Sequence, residues 1–141
     1  MQDAFFMSLN APALLGFGLY IVVAIACFIL FQFIYTCLTP HKEVTLIREN
    51  NVTAAIALSG AIIGFALPAS NIIAYSISLL DFVLWTAIAA AVQLCTFFVA
   101  HLVVRDISKR IQRNEVATGI YVAALAISVG MLNAACMTPM T

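Results

Sequence analysis

Charge is scarce in this chain: Asp, Glu, Lys and Arg make up 9% of its 141 residues, against about 25% in a soluble domain. With 65% hydrophobic residues and a mean hydropathy of +1.11, it has too little polar side chain to coat a water-soluble surface. Net charge is zero, so a nucleic-acid partner has no electrostatic support. Cysteine pairs at metal-ligand spacing are missing. Cys27, Cys37, Cys95 and Cys136 stand far apart and are expected as buried free thiols acting as small hydrophobes. No Asp, Glu, Lys or Arg lies deep in an apolar run, which removes the intramembrane ionisable group that coupled transport uses. A base beside a nucleophile is missing too, so no catalytic, cofactor-binding or metal-binding residue is assigned and no enzyme is expected.

What charge there is forms two islands. All six Lys and Arg residues fall between Lys42 and Glu49 or between Arg105 and Glu115, and only Asp3 and Asp81 lie elsewhere. The uncharged runs, 4–41, 50–80, 82–104 and 116–141, each exceed the roughly 20 apolar residues that cross a bilayer core. The first has no basic residue ahead of it and is too long for a signal peptide, so it reads as an uncleaved span. Span one is expected over about 12–38, ended by Thr39-Pro40. Span two starts at an Asn50 or Asn51 cap and runs at least to Leu67. Pro68 should kink or stop it, leaving 69–80 open between a helix extension and an interfacial segment. Span three covers about 81–104, with Trp85 as an interface anchor, and span four about 115–137, with Asn114 as its cap. The islands are separated by two spans, so they face one side, which the positive-inside rule makes the cytoplasm. Both termini then face the periplasm, and loops 39–50 and 105–114 the cytoplasm.

Shifting the second half back by 64 residues superposes Ile47 on Ile111, Val52 on Val116, Ile56 on Ile120 and Ile63 on Ile127. Small residues follow: Ala55 on Gly119, Ser59 on Ala123, Gly60 on Ala124, Gly64 on Ser128. The expected fold is all-α and polytopic, one membrane domain of four transmembrane helices. They form two tandem hairpins in a parallel repeat, about 12–78 and 79–138. Burying Leu drives nothing in lipid, whereas small residues let backbones approach. Gly60, Gly64, Gly119, Ala123, Ala126, Gly130 and Ala134 should therefore make spans two and four the packed inner pair. Spans one and three should turn their bulk, including Phe28, Phe31, Phe33, Phe97 and Phe98, to lipid. Such seams also suit a homo-oligomer.

Gln32 and Gln93 are expected to bond between helices, and His101 to be a satisfied interfacial histidine. Ser59, Thr118, Ser128 and Asn133 are candidates for a polar pocket or pore. Asn133 and the Ser70-Asn71 pair lie toward the outer ends, where helix capping or interfacial solvation also explains them. Arg105, Lys109 and Arg113 recur every four residues opposite Val104, Ile107 and Ile111. Span three should thus continue into an amphipathic helix with Asp106 paired to Lys109 or Arg110. Its basic residues, Arg105, Lys109, Arg110 and Arg113, would meet anionic lipid head groups or a peripheral protein. The first island is milder, Glu43 and Glu49 balancing Lys42 and Arg48.

Several stretches resemble the YjfL-like family of small bacterial inner-membrane proteins. They are Thr39-Pro40-His41, Leu46-Ile47, Asn50-Asn51, Ala57-Leu58-Ser59-Gly60 with Gly64, and Gly130 followed by Asn133-Ala134-Ala135-Cys136-Met137. The similarity runs the length of the chain and departs at Glu115, where a second Asn-Thr-Ala-Ala-like start is expected. The resemblance implies a bacterial inner membrane and no established reaction. It also implies a neighbourhood with homologues of phage-shock protein A, a cytoplasmic protein that binds membranes under envelope stress. The expected role is a non-enzymatic membrane organiser or anchor in an envelope-stress or lipid-homeostasis module, with a small homo-oligomeric channel or solute conduit as the alternative.

Overall fold

The computed structural model describes residues 11–137, and Asp3 lies outside them. The described chain is helical: α1 Ala11–Leu38, α2 Glu43–Arg48, α3 Val52–Tyr75, α4 Leu79–Val103, α5 Ile107–Gln112 and α6 Val116–Cys136. The four long helices, α1, α3, α4 and α6, are each apolar enough to cross a membrane. Their 21 to 28 residues reach about 31–42 Å at about 1.5 Å each, enough for a hydrocarbon core of about 30 Å. Helix is what such sequences must form there, because lipid offers backbone N–H and C=O groups no partner.

The segment at 69–80 resolves as helix and turn. Pro68 is buried and α3 continues past it to Tyr75. A short turn follows, and Ser78 caps α4 by accepting the Asp81 N–H at 3.2 Å. Asn51 caps α3, its side chain accepting the Ala54 N–H at 2.9 Å. Span three does not continue into the amphipathic helix. It ends at Val103, and Asp106, with φ 58°, turns the chain before α5 begins.

The packed centre is the α3–α6 pair. Thr53 lies against Gly119, Gly60 against Ala123, and Gly64 against Ala126 and Gly130, so contacts climb both helices together and the pair is parallel. A Cβ on Gly119 would stand 2.8 Å from the Thr53 carbonyl oxygen, and one on Gly130 would run into the Gly64 backbone. Only glycine permits that approach. α4 packs against both inner helices, while α1 leans on α3 and α4 and hardly reaches α6.

The expectation that bulky residues of α1 and α4 face lipid fails for two phenylalanines. Phe31 and Phe97 are 3% and 7% exposed. Phe31 stacks on Phe65 at 4.1 Å, and Tyr35 meets Phe97 edge-on at 5.7 Å. Small residues on the inner helices leave room for rings from the outer ones. Phe33 and Phe98 do face outward. The cysteines are not buried either: Cys37, Cys95 and Cys136 are exposed and Cys27 is half-buried.

Candidate functional site

The end of the bundle that carries both charge islands is the most elaborately built part of the chain. α2 and α5 begin and end 64 residues apart. Each closes with the same motif. Asn50 and Asn114 adopt left-handed φ of 64° and 59°, where asparagine is tolerated better than most residues. Asn50 N–H donates to Ile47 O at 3.0 Å and Asn51 N–H to Leu46 O at 2.9 Å. Their counterparts are Asn114 N–H to Ile111 O at 2.9 Å and Glu115 N–H to Arg110 O at 3.0 Å.

The two motifs clasp each other. Asn51 Nδ2 donates to Ile111 O at 2.8 Å. Asn114 Oδ1 accepts the backbone N–H of Thr53 at 3.0 Å and its hydroxyl at 2.9 Å. Asn114 therefore caps α3 and not α6, against expectation. The N-cap of α6 is Glu115, whose side chain makes no cap bond and pairs with Arg110 at 3.0 Å.

On this scaffold α5 buries Ile107 and Ile111, at 0% and 1% exposure, and turns its basic residues outward. Lys109 pairs with Asp106 at 3.4 Å, and Arg110 Nε also donates to Arg105 O at 3.3 Å. Arg105 and Arg113 are exposed and meet no carboxylate among the described residues. They flank α5 and are not part of it.

The first island differs from its expected reading. Glu43 is 1% exposed and balances no surface cation. Its Oε1 lies 3.2 Å from His41 Nε2, with both side chains fully buried. Burial pushes the Glu43 carboxyl above its ordinary range, and the neighbouring His41 pulls it partly back. The contact is close, but none of the four side-chain polar atoms of the pair meets hydrogen-bond geometry with a partner among the described residues. His101 is not satisfied either: its ring packs on Phe97 at 5.0 Å and its buried Nδ1 has no hydrogen-bond partner among the described residues. The 64-residue register held the signal for Glu43, because it superposes Glu43 on the core residue Ile107.

The four pocket candidates do not converge. Ser59 is exposed beside an open groove of about 470 Å³ between α3 and α6. Ser128 is exposed and donates to Ala124 O at 2.7 Å. Thr118 is buried near the islands, and Asn133, buried near the other end, donates to Ala89 O at 3.4 Å. Asn71 Nδ2 donates to Ala134 O at 2.8 Å. The outer asparagines therefore tie helices together and do not frame a mouth. Gln93 behaves as expected, donating to Ala126 O at 3.0 Å, while the Gln32 side chain makes no interhelical bond among the described residues. Among those residues no three His, Cys, Asp or Glu side chains are placed to hold a metal ion.

Residues 8–137 match the family described as Domain of Unknown Function (DUF350). Over 126 residues the chain is 36% identical to the UPF0719 inner membrane protein YjfL of Escherichia coli (strain K12), covering 89% of this chain and 96% of that one. Over 114 residues it is 27% identical to the UPF0719 transmembrane protein YshE of Bacillus subtilis (strain 168), covering 79% and 84%. No solved structure matches the chain.

Proposed function

This chain belongs to the DUF350 family, and from that premise we propose that it is a non-enzymatic inner-membrane organiser whose island end is a docking platform for anionic lipid head groups. The observation that carries this reading is the pairing of rigidity with unspent charge. Ile107, Ile111 and the two asparagine clasps hold α5 in place, and Arg105 and Arg113, which flank it, are exposed without a carboxylate among the described residues. Each such residue near an anionic surface contributes roughly 1 kcal/mol.

The reading places the islands in the cytoplasm and both termini on the opposite side, following the positive-inside rule. It treats the hairpins at about 12–78 and 79–138 as two uses of one unit. It extends to self-association through the open α3–α6 groove, and to a peripheral membrane-stress protein of the phage-shock-protein-A type as the island end's protein partner. A conduit through one copy has less support. The α3 and α6 backbones touch at Gly64 and Gly130, and the four polar candidates line no common path.

The test uses purified protein in bilayer nanodiscs of mixed phosphatidylglycerol and phosphatidylethanolamine, with co-retained lipid counted by native mass spectrometry. Arg105→Gln with Arg113→Gln leaves both ion pairs of α5 in place. Preference for phosphatidylglycerol should fall by roughly tenfold to thirtyfold. An unchanged preference in folded protein would overturn the platform.

A further inference from the structure

At the opposite end of the bundle a second feature stands apart from the platform. A cavity of about 250 Å³ lies where α3 ends, α4 begins and α6 ends. Its lining includes Tyr75, Ser76, Asp81, Trp85 and Met137. Asp81 is the only charged residue between Glu49 and Arg105. Its Oδ2 accepts the N–H of Ile77, the residue before the Ser78 cap, at 3.2 Å, while its Oδ1 accepts no hydrogen bond among the described residues.

Among the described residues no cationic side chain stands beside this carboxylate. Every Lys and Arg lies in the two islands, beyond the far end of α4, and from Asp81 to Val103 that helix is about 33 Å long. Capping accounts for one oxygen. It does not account for two aromatic residues lining the same cavity, Tyr75 at 52% and Trp85 at 48% exposure. A carboxylate beside aromatic rings is the recognition chemistry of an alkylammonium group, which the carboxylate attracts by charge and the rings by their quadrupoles. The cavity also sits at the end of three spans, the depth of the head-group layer.

We propose that Asp81, Tyr75 and Trp85 form a binding site for an alkylammonium group at the end of the bundle remote from the charge islands. Two sources offer that group: the head of an ethanolamine or choline lipid, and a free organic cation in the aqueous phase.

Trp85 is the only tryptophan of the chain, so its emission reports on this cavity alone. The full chain would be placed in nanodiscs of phosphatidylglycerol, then of phosphatidylglycerol with phosphatidylethanolamine, and ethanolamine and tetramethylammonium would be titrated into the first set. An emission change on adding phosphatidylethanolamine, absent with the free amines, assigns the site to a lipid head group. A saturable change with the free amines assigns it to a solute. In either case Asp81→Asn, which keeps a capping oxygen, should raise the half-saturating concentration roughly fivefold, and Tyr75→Leu by roughly twofold to fivefold. Wild-type emission that responds in neither set, with helicity intact by circular dichroism, would overturn the site. So would a response that Asp81→Asn leaves unchanged.

Discussion

Asn114 completes a helix that is not its own. Its side-chain oxygen takes the backbone N–H and the hydroxyl of Thr53, at 3.0 and 2.9 Å, across 61 residues of sequence. The start of α3 is therefore held by a local cap from Asn51 and a second one supplied from across the bundle by Asn114.

Asn114→Asp keeps the acceptor and should unfold within about 0.5 kcal/mol of wild type. Asn114→Gly keeps the left-handed backbone but loses both hydrogen bonds to Thr53, and should cost about 1 kcal/mol. Thermal unfolding in detergent distinguishes them. Equal losses in the two variants would show that the clasp contributes nothing.

The inner seam predicts a contrast between glycines. Gly130→Leu drives a side chain into the Gly64 backbone and should cost on the order of 1–3 kcal/mol or more. Gly18→Leu, on α1, meets nothing within 4 Å and should be close to neutral. Reversible unfolding in mixed micelles would rank them.

Glu43 makes stability depend on pH. Its carboxyl is raised by burial, so the folded state holds the proton more tightly than the unfolded chain, whose ordinary value is 4.5. The resulting stability is fully present below that value and is lost as pH rises through the raised one. Melting temperature followed upward from pH 4.5 should fall in wild type and stay flat in Glu43→Gln across the same window. Parallel curves would show that Glu43 titrates as it does in the unfolded chain.

The proposed orientation has a direct readout. Cys136 lies at the end of α6 remote from the islands and is exposed. In a strain expressing a variant whose other native cysteines are serines, a membrane-impermeant maleimide should label Cys136 in intact spheroplasts. A cysteine placed at Gln112 in α5 should be labelled only after lysis. The reverse pattern would turn the protein over.

Much of this architecture is legible in the sequence. The spans follow from where charge is absent, because a bilayer tolerates little else, and α1 ends at Leu38, the expected last residue of span one. The Gly60, Gly64 and Gly130 seam follows from what lets backbones meet in lipid. Three features were hidden for physical reasons. A cap residue looks the same whether it serves its own helix or a neighbour's, so Asn114 pointed to α6. A phenylalanine is as apolar toward lipid as toward a core, so Phe31 and Phe97 gave no sign of their side. Glu43 reads as a loop charge until the register sets it on Ile107, a residue at 0% exposure.

The exchanged caps also order events in time. When α3 leaves the ribosome and enters the membrane, Asn51 is already at hand to receive the Ala54 N–H. The acceptor for Thr53 has not yet been synthesised, since Asn114 lies beyond the whole of α4. Until the second hairpin stands beside it, the Thr53 N–H and hydroxyl lack the acceptor that the folded protein gives them.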